Sequence, residues 1–201
     1  MSMPKLAAVV TRLGKDDRAE LEAHFRALNA EDRRLRFGTA IGDEAIGAYV
    51  ARIVARIDFG FDEVFAARDE DLGLMGAIHV AISGDSAELG LSVLPAFRGE
   101  GVGSVLFERA VAHLRNSGVR EVMVHCLTEN ATMLHLARKN GMRVVQDGSE
   151  SEARLRIDPP TARSLFNEWL LDQKSAAIMA IRQNARLARA LWKLYPPIGT
   201  R

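Results

Sequence analysis

Residues 88–116 read ELGLSVLPAFRGEGVGSVLFERAVAHLRN, and the reading of this stretch decides the fold. An apolar strand pattern runs through Pro95 into Arg98-Gly99-Glu100-Gly101-Val102-Gly103, and a helical run begins near Ser104. A helix start presents unpaired backbone N–H groups and the positive end of the macrodipole, and glycines on its approach let backbone come close to a ligand. The stretch is therefore either a pocket for a phosphate or pyrophosphate, or an ordinary tight turn with no ligand.

Working upstream, Phe61–Arg68, Leu72–Ile82 and Ala87–Leu94 read as successive strands. Their polar connections, Asp69-Glu70-Asp71 and Ser83-Gly84-Asp85-Ser86, are short, so the expected arrangement is an antiparallel meander. Leu6–Arg12 reads as a first strand. A helix from Asp16 follows, with Leu21, Phe25 and Leu28 on one face. A second helix is expected over Asp43–Ile53 with Ile46, Tyr49, Val50 and Ile53 inward. Between them Asn29–Gly38 is charge-rich, carries Leu35 and Phe37, and is assigned no element.

Downstream, Glu121–Leu127 (EVMVHCL) is a buried-type strand reached through a helical crossover, hence parallel to the strand before the loop. A helix starting at Thr128 or Glu129 runs to Asn140 and stops at Gly141. Arg143–Gln146 and Ala153–Ile157 close as a hairpin around Asp147-Gly148. After Asp158-Pro159-Pro160, residues 161–194 favour helix, with Trp169 and Trp192 among its apolar positions. This extension is expected to pack on the domain or a second subunit, or to act as a lid. Its basic stripe, Arg182, Arg186, Arg189 and Lys193, reads as a solvated face.

The chain has 201 residues, 48% of them hydrophobic, which suffices for one substantial core. Lys plus Arg number 27 against 26 for Asp plus Glu, so no global field favours nucleic acid or an anionic membrane as partner. The single cysteine, Cys126, excludes an intramolecular disulfide and fits a reducing compartment. The apolar run near the N-terminus is too short to span a bilayer and lacks a cleavage pattern, which gives the expectation of a soluble, cytoplasmic protein.

Val93-x-Pro95-x-x-Arg98-Gly99-x-Gly101-Val102-Gly103 resembles the signature loop of the GNAT superfamily of N-acetyltransferases. Asn130-x-x-Met133-x-x-Leu136-x-x-Lys139-x-Gly141-Met142 is similar to the helix that follows it in that family. Phe25–Asn29 and Arg34–Phe37, together with Ala87-Glu88 and Met133–Arg138, look most like the catalytic domain of Pat-type bacterial protein lysine acetyltransferases. The resemblance implies an α/β (mixed α+β) GNAT fold, with a mostly antiparallel sheet splayed between its fourth and fifth strands. Residues 1–157 would form that domain and 158–201 a helical extension.

It also implies acetyl-CoA as acyl donor, with no metal. The amides of Gly99, Glu100, Gly101, Val102, Gly103 and Ser104 would cradle its pyrophosphate. Arg98 would either add charge there or pair with a carboxylate. Leu91, Ser92 and Val93 would pair with the pantetheine arm, and Asn130 would contact the arm or merely cap its helix.

Acetyl transfer to an amine needs an uncharged amine, a stabilised oxyanion and a protonated leaving thiolate. Glu88 is the first candidate base, on the strand face it shares with Gly90 and Ser92. His125 is the second, since imidazole titrates near neutrality. A backbone N–H near Val93 is the expected oxyanion donor. Ala137 stands where many family members carry a tyrosine general acid, although the Pat-type pattern also has alanine there. The acceptor is expected to be a primary amine, on a small molecule or a protein lysine, with a homodimer left open as the assembly. Competing readings are a non-catalytic acyl-CoA sensor and a dinucleotide-binding oxidoreductase. The second fails because Ser104 takes the place of the required third glycine and a meander precedes the loop.

Overall fold

A computed structural model describes residues 8–194, so Leu6 and Ala7 of the expected first strand lie outside the described residues. Strands β1 (Val9–Arg12), β2 (Asp62–Arg68), β3 (Leu74–Ser83) and β4 (Ser86–Val93) form the meander. They are followed by β5 (Glu121–Leu127), β6 (Arg143–Asp147) and β7 (Glu150–Arg156), and one sheet results with order β1-β2-β3-β4-β5-β7-β6. Every pairing is antiparallel except β4 with β5. β3 starts at Leu74, not Leu72, because the Asp69 carboxylate accepts from the amides of Asp71 and Gly73 and curls the chain into a turn.

The parallel pair β4–β5 is short, matching only Ser86, Ala87 and Glu88 with Glu121, Val122 and Met123. β4 stays bonded to β3 as far as Val93, so from Leu89 onward its other edge is free of β5. This is the splay that the resemblance implied.

Helices pack on both faces. α1 (Arg18–Arg26) and α3 (Asp43–Ile57) bury Leu21, Phe25, Ile46, Val50 and Ile53 against Val64, Ala66 and Ala77. α4 (Val102–Asn116) and α5 (Ala131–Lys139) bury Val102, Leu106, Phe107, Leu114, Met133 and Leu136 on the other face, against Phe65, Ile78, Leu89 and Val122. Both stripes repeat at three- and four-residue steps, the spacing of one helix face.

Asn29–Gly38, unassigned from sequence, holds a helix, α2 (Ala30–Phe37). Asn29 caps it by accepting from the Asp32 amide at 2.8 Å, and Gly38 ends it in the left-handed region at φ 76°. Its charged residues are ties: Arg33 donates to the Leu28, Ile41 and Arg26 carbonyls and meets Asp43 at 2.8 Å. Apolar periodicity cannot find a helix held this way.

α6 (Ala162–Leu194) spans 33 residues and lies along α4 and β1. At that contact Glu168 accepts from Arg109 at 2.8 Å and lies 2.6 Å from His113, whose other ring nitrogen is 2.7 Å from Glu63. Asn116 donates to Glu168 and to the Ser164 carbonyl. The basic stripe is not simply solvated: Arg182 donates to the Asp69 carbonyl at 2.8 Å and Arg189 reaches Asp71 at 3.2 Å, both on the β2–β3 turn. Among the described residues, no helix is long and apolar enough to cross a membrane.

Candidate active site

One turn of 3-10 helix, Pro95–Phe97, turns the chain from β4 into the glycine loop. Gly99 (φ 79°) and Gly101 (φ 85°) adopt the left-handed region that side chains with a Cβ avoid, and α4 begins at once at Val102. The amides of Val102, Gly103 and Ser104 are in its first turn and have no intrahelical acceptor. The loop's flanking residues line a cavity of about 500 Å³, which includes Leu91, Ser92, Val93, Gly99, Gly101, Gly103 and Ser104. The free edge of β4 supplies its wall. A phosphate-bearing ligand with an extended arm fits this donor set.

Arg98 pairs with Asp32 Oδ1 at 2.6 Å and donates to the Val93 carbonyl at 3.4 Å, so it locks the loop to α2 and β4. Of the two roles expected for it, the carboxylate partner is present. A cation not foreseen for the loop, Lys139, donates to Ser104 Oγ at 3.0 Å from α5. Asn130 caps α5 by accepting from the Met133 amide at 3.0 Å and donates to the Leu35 carbonyl at 3.3 Å. Ser92 turns its hydroxyl to the α1 side, 2.8 Å from His24 Nε2. Burial is the main reason that His24 has its pKa lowered to about 4, with the Arg36 charge adding to it. Glu100 is exposed in the loop.

A second cavity, of about 950 Å³, opens on the other side of the splay. Leu35, Arg36, Leu91, Asn130 and Met133 line both cavities and mark their junction. Glu88 and His125 stand together on its sheet wall, with His125 Nδ1 3.5 Å from Glu88 and Nε2 3.1 Å from Glu152. Sheet register makes this cluster, since β5 sets His125 opposite Glu152 on β7. Arg154 holds the Glu152 carboxylate down to about 2, so Glu152 stays ionised beside the imidazole.

The cavity is also lined by residues that the sequence did not single out. Tyr49, read only as a core position, places its hydroxyl 3.0 Å from His79 Nδ1 and accepts from Arg36 Nη2 at 2.8 Å. His79 Nε2 lies 3.5 Å from Asp62, which also accepts from Arg56. Burial above all, with the Arg36 and Arg52 charges, lowers the His79 pKa against the pull of Asp62. The signal available was a tyrosine on an inward helix face, whose polar tip needs a partner. Ala137 is fully buried in the core beneath α5, so no phenol enters the cleft from that helix position.

Residues 11–142 match the acetyltransferase (GNAT) family. The chain belongs to the GNAT family. A mycothiol acetyltransferase of Propionibacterium freudenreichii is 33% identical over 119 residues, which is 59% of this chain and 34% of that protein. The chain thus matches about a third of that curated relative's length (34%). The GNAT domain of S. lividans PAT shares the fold with TM-score 0.66 at 20% identity, covering 78% of this chain and all (100%) of that one. PaiA N-acetyltransferase of Thermoplasma acidophilum, solved with coenzyme A, superposes with TM-score 0.61 at 20% identity, covering 76% of this chain and 100% of that one. In this GNAT chain the glycine loop and the splay lie along two cavities that share lining residues.

Proposed function

We propose that this GNAT protein is an acetyl-CoA-dependent N-acetyltransferase that acetylates a primary amine by direct attack in a ternary complex. The observation that carries the reading is the free edge of β4. It starts beside Glu88 in the larger cavity and ends at the glycine loop in the smaller one. A donor held along Leu91–Val93, with its pyrophosphate on the Gly99–Ser104 amides, presents its thioester at the junction of the cavities.

Glu88 takes a proton from the acceptor's ammonium, directly or through water, so that the neutral amine attacks, and His125 beside it is the second candidate base. A backbone N–H near Val93 stabilises the oxyanion. The departing thiolate is a good leaving group and is protonated by water, since Ala137 supplies no phenol. Fold likeness to the GNAT domain of S. lividans PAT supports placing the chain beside the Pat-type enzymes, with a protein lysine as one acceptor class. The partial relative named for mycothiol keeps a small-molecule amine as the other. For α6 we assign a packing role, supported by its polar seam with α4 and by the absence of any described α6 residue from the cleft lining.

Thiol release from acetyl-CoA, measured across amines, peptides and candidate proteins, tests the reading. Release that rises with an amine and collapses in Glu88→Gln supports it; full turnover by Glu88→Gln removes the base. Ala137 favours a second reading, an acyl-CoA sensor, and binding of acetyl-CoA without release for any amine would select it.

A further inference from the structure

Arg36 and Arg52 stand apart from the other arginines around the cleft. Arg33, Arg34, Arg56, Arg98 and Arg154 each meet a carboxylate within 4 Å. Among the described residues no carboxylate lies that close to Arg36 or Arg52, although both line the larger cavity. Arg36 is held rigidly: its guanidinium carbon sits 5.0 Å from the Phe37 ring centre and 5.7 Å from those of Phe25 and Tyr49. Its Nη2 donates to Tyr49, while its Nε is buried with no acceptor. Arg52 covers Tyr49 from the next turns of α3 at 5.4 Å.

Arg36 Nε is sealed from the cavity, but a half-buried guanidinium that lines a cavity without a counter-ion keeps its outer N–H groups for an anion. Arg36 also crowds Gly90 of β4, where a Cβ would fall 2.4 Å from Nη2; only glycine admits the guanidinium there. Asp62, which faces His79, is already engaged by Arg56. Glu88, two residues from Gly90 along β4, and Glu150 line the same cavity. The cavity thus holds unpaired cations from α2 and α3 and carboxylates from β4 and β7.

We propose that the acceptor is an amine bearing its own anionic group, a carboxylate or a phosphate, which Arg36 and Arg52 seat while the amine faces Glu88. The inference rests on the acetyl-transfer reading above and names its substrate class. A planar guanidinium fork suits either anion, and its fixed stacking makes the site selective for where the charge sits. Fixing the anion on Arg36 and Arg52 orients the amine toward Glu88 in the same cavity, the positioning that ternary-complex attack needs.

The test uses full-length protein, acetyl-CoA and matched acceptors. Amino acids are set against their amides for the carboxylate arm, and O-phosphoethanolamine against ethanolamine for the phosphate arm. Anionic members should turn over faster than their neutral partners. Arg52→Gln should raise the KM of the preferred anionic amine about ten- to a hundredfold, as loss of a charge-assisted contact does, without raising the KM for acetyl-CoA. Arg36→Lys should act likewise, and Arg52, exposed and without an ion pair, provides the variant whose folding is not in question. Equal or better turnover of the neutral partners, or a rise confined to the acetyl-CoA KM, overturns the anion seat while leaving acetyl transfer intact. Absence of turnover with every amine overturns the acetyl-transfer reading itself, and the anion seat with it.

Discussion

The α4–α6 seam and the cleft are built from the same residue types, and they differ in whether the charges have partners. In the seam Arg109, His113, Glu63, Glu168 and Asp172 answer one another, and the two basic side chains are nearly buried. In the cleft Arg36 and Arg52 face open volume, and Glu88 and His125 are about half exposed. Paired charge inside a protein fixes position; charge aimed unpaired into a cavity is available to a ligand. The two regions should therefore respond oppositely to the same kind of substitution.

The largest expected effect separates them on activity. Glu88→Gln should lower kcat with the identified acceptor by about 10²- to 10⁴-fold, the range for a lost general base. Its unfolding midpoint should stay near that of the parent, because Glu88 is exposed and buries little. The mirror experiment is Glu168→Ala. It removes the acceptor that Arg109, His113 and Asn116 share, leaving Arg109 with Asp172 and His113 with Glu63, and should cost about 1–3 kcal/mol. Denaturant unfolding should show that loss while kcat stays unchanged below the melting range. A kcat collapse in Glu168→Ala, or an unfolding loss in Glu88→Gln, would break the division between the regions.

How much of this was legible in the sequence follows the same line. The meander, the crossover helix and the glycine loop were readable because each is local: alternation, a three-four apolar repeat, and glycines placed before a helix start. Glu88, His125 and Asn130 were named from strand alternation and the motif resemblance, and all three line the larger cavity. Arg36, Tyr49 and Arg52 were not so named, and nothing singled out His79, because they converge only after register sets His79 opposite Gly90 and α2 folds over β4. α2 itself was hidden because caps and tertiary ties, not an apolar stripe, hold it.

A pH experiment sharpens the contrast. His24, buried beside Ser92, is more reluctant to take a proton in the folded state, with its pKa near 4 against 6.5 unfolded. Between those values the unfolded chain binds the extra proton, so stability is full above about pH 6.5 and falls as pH drops toward 4, by about 3 kcal/mol at most. Glu168 titrates in a lower window. Burial raises its pKa, but the hydrogen bonds from Arg109, Asn116 and His113 together lower it below 4.5, so its contribution is lost only in stronger acid. Urea unfolding from pH 7 to 3 should show two descents. His24→Gln should flatten the first and Glu168→Gln the second; an unchanged profile in His24→Gln would show that another group sets the upper one.

Asn130 belongs to both regions at once, and the smallest predicted effect shows which role matters to the ligand. Its Oδ1 caps α5 and its Nδ2 holds the Leu35 carbonyl of α2, while the residue lines both cavities. Asn130→Ala removes cap and tie together and should cost about 1 kcal/mol of stability. Asn130→Asp keeps an acceptor for the Met133 amide but has no donor for Leu35, so unfolding should scarcely change. If the tie positions α2, and with it Arg36, Asn130→Asp should still raise the KM of the acceptor amine. If instead Nδ2 serves the donor, the rise should fall on acetyl-CoA. A variant unaltered in both constants would reduce Asn130 to a helix cap and leave the position of α2 to Arg98, Asp32 and Arg33 alone.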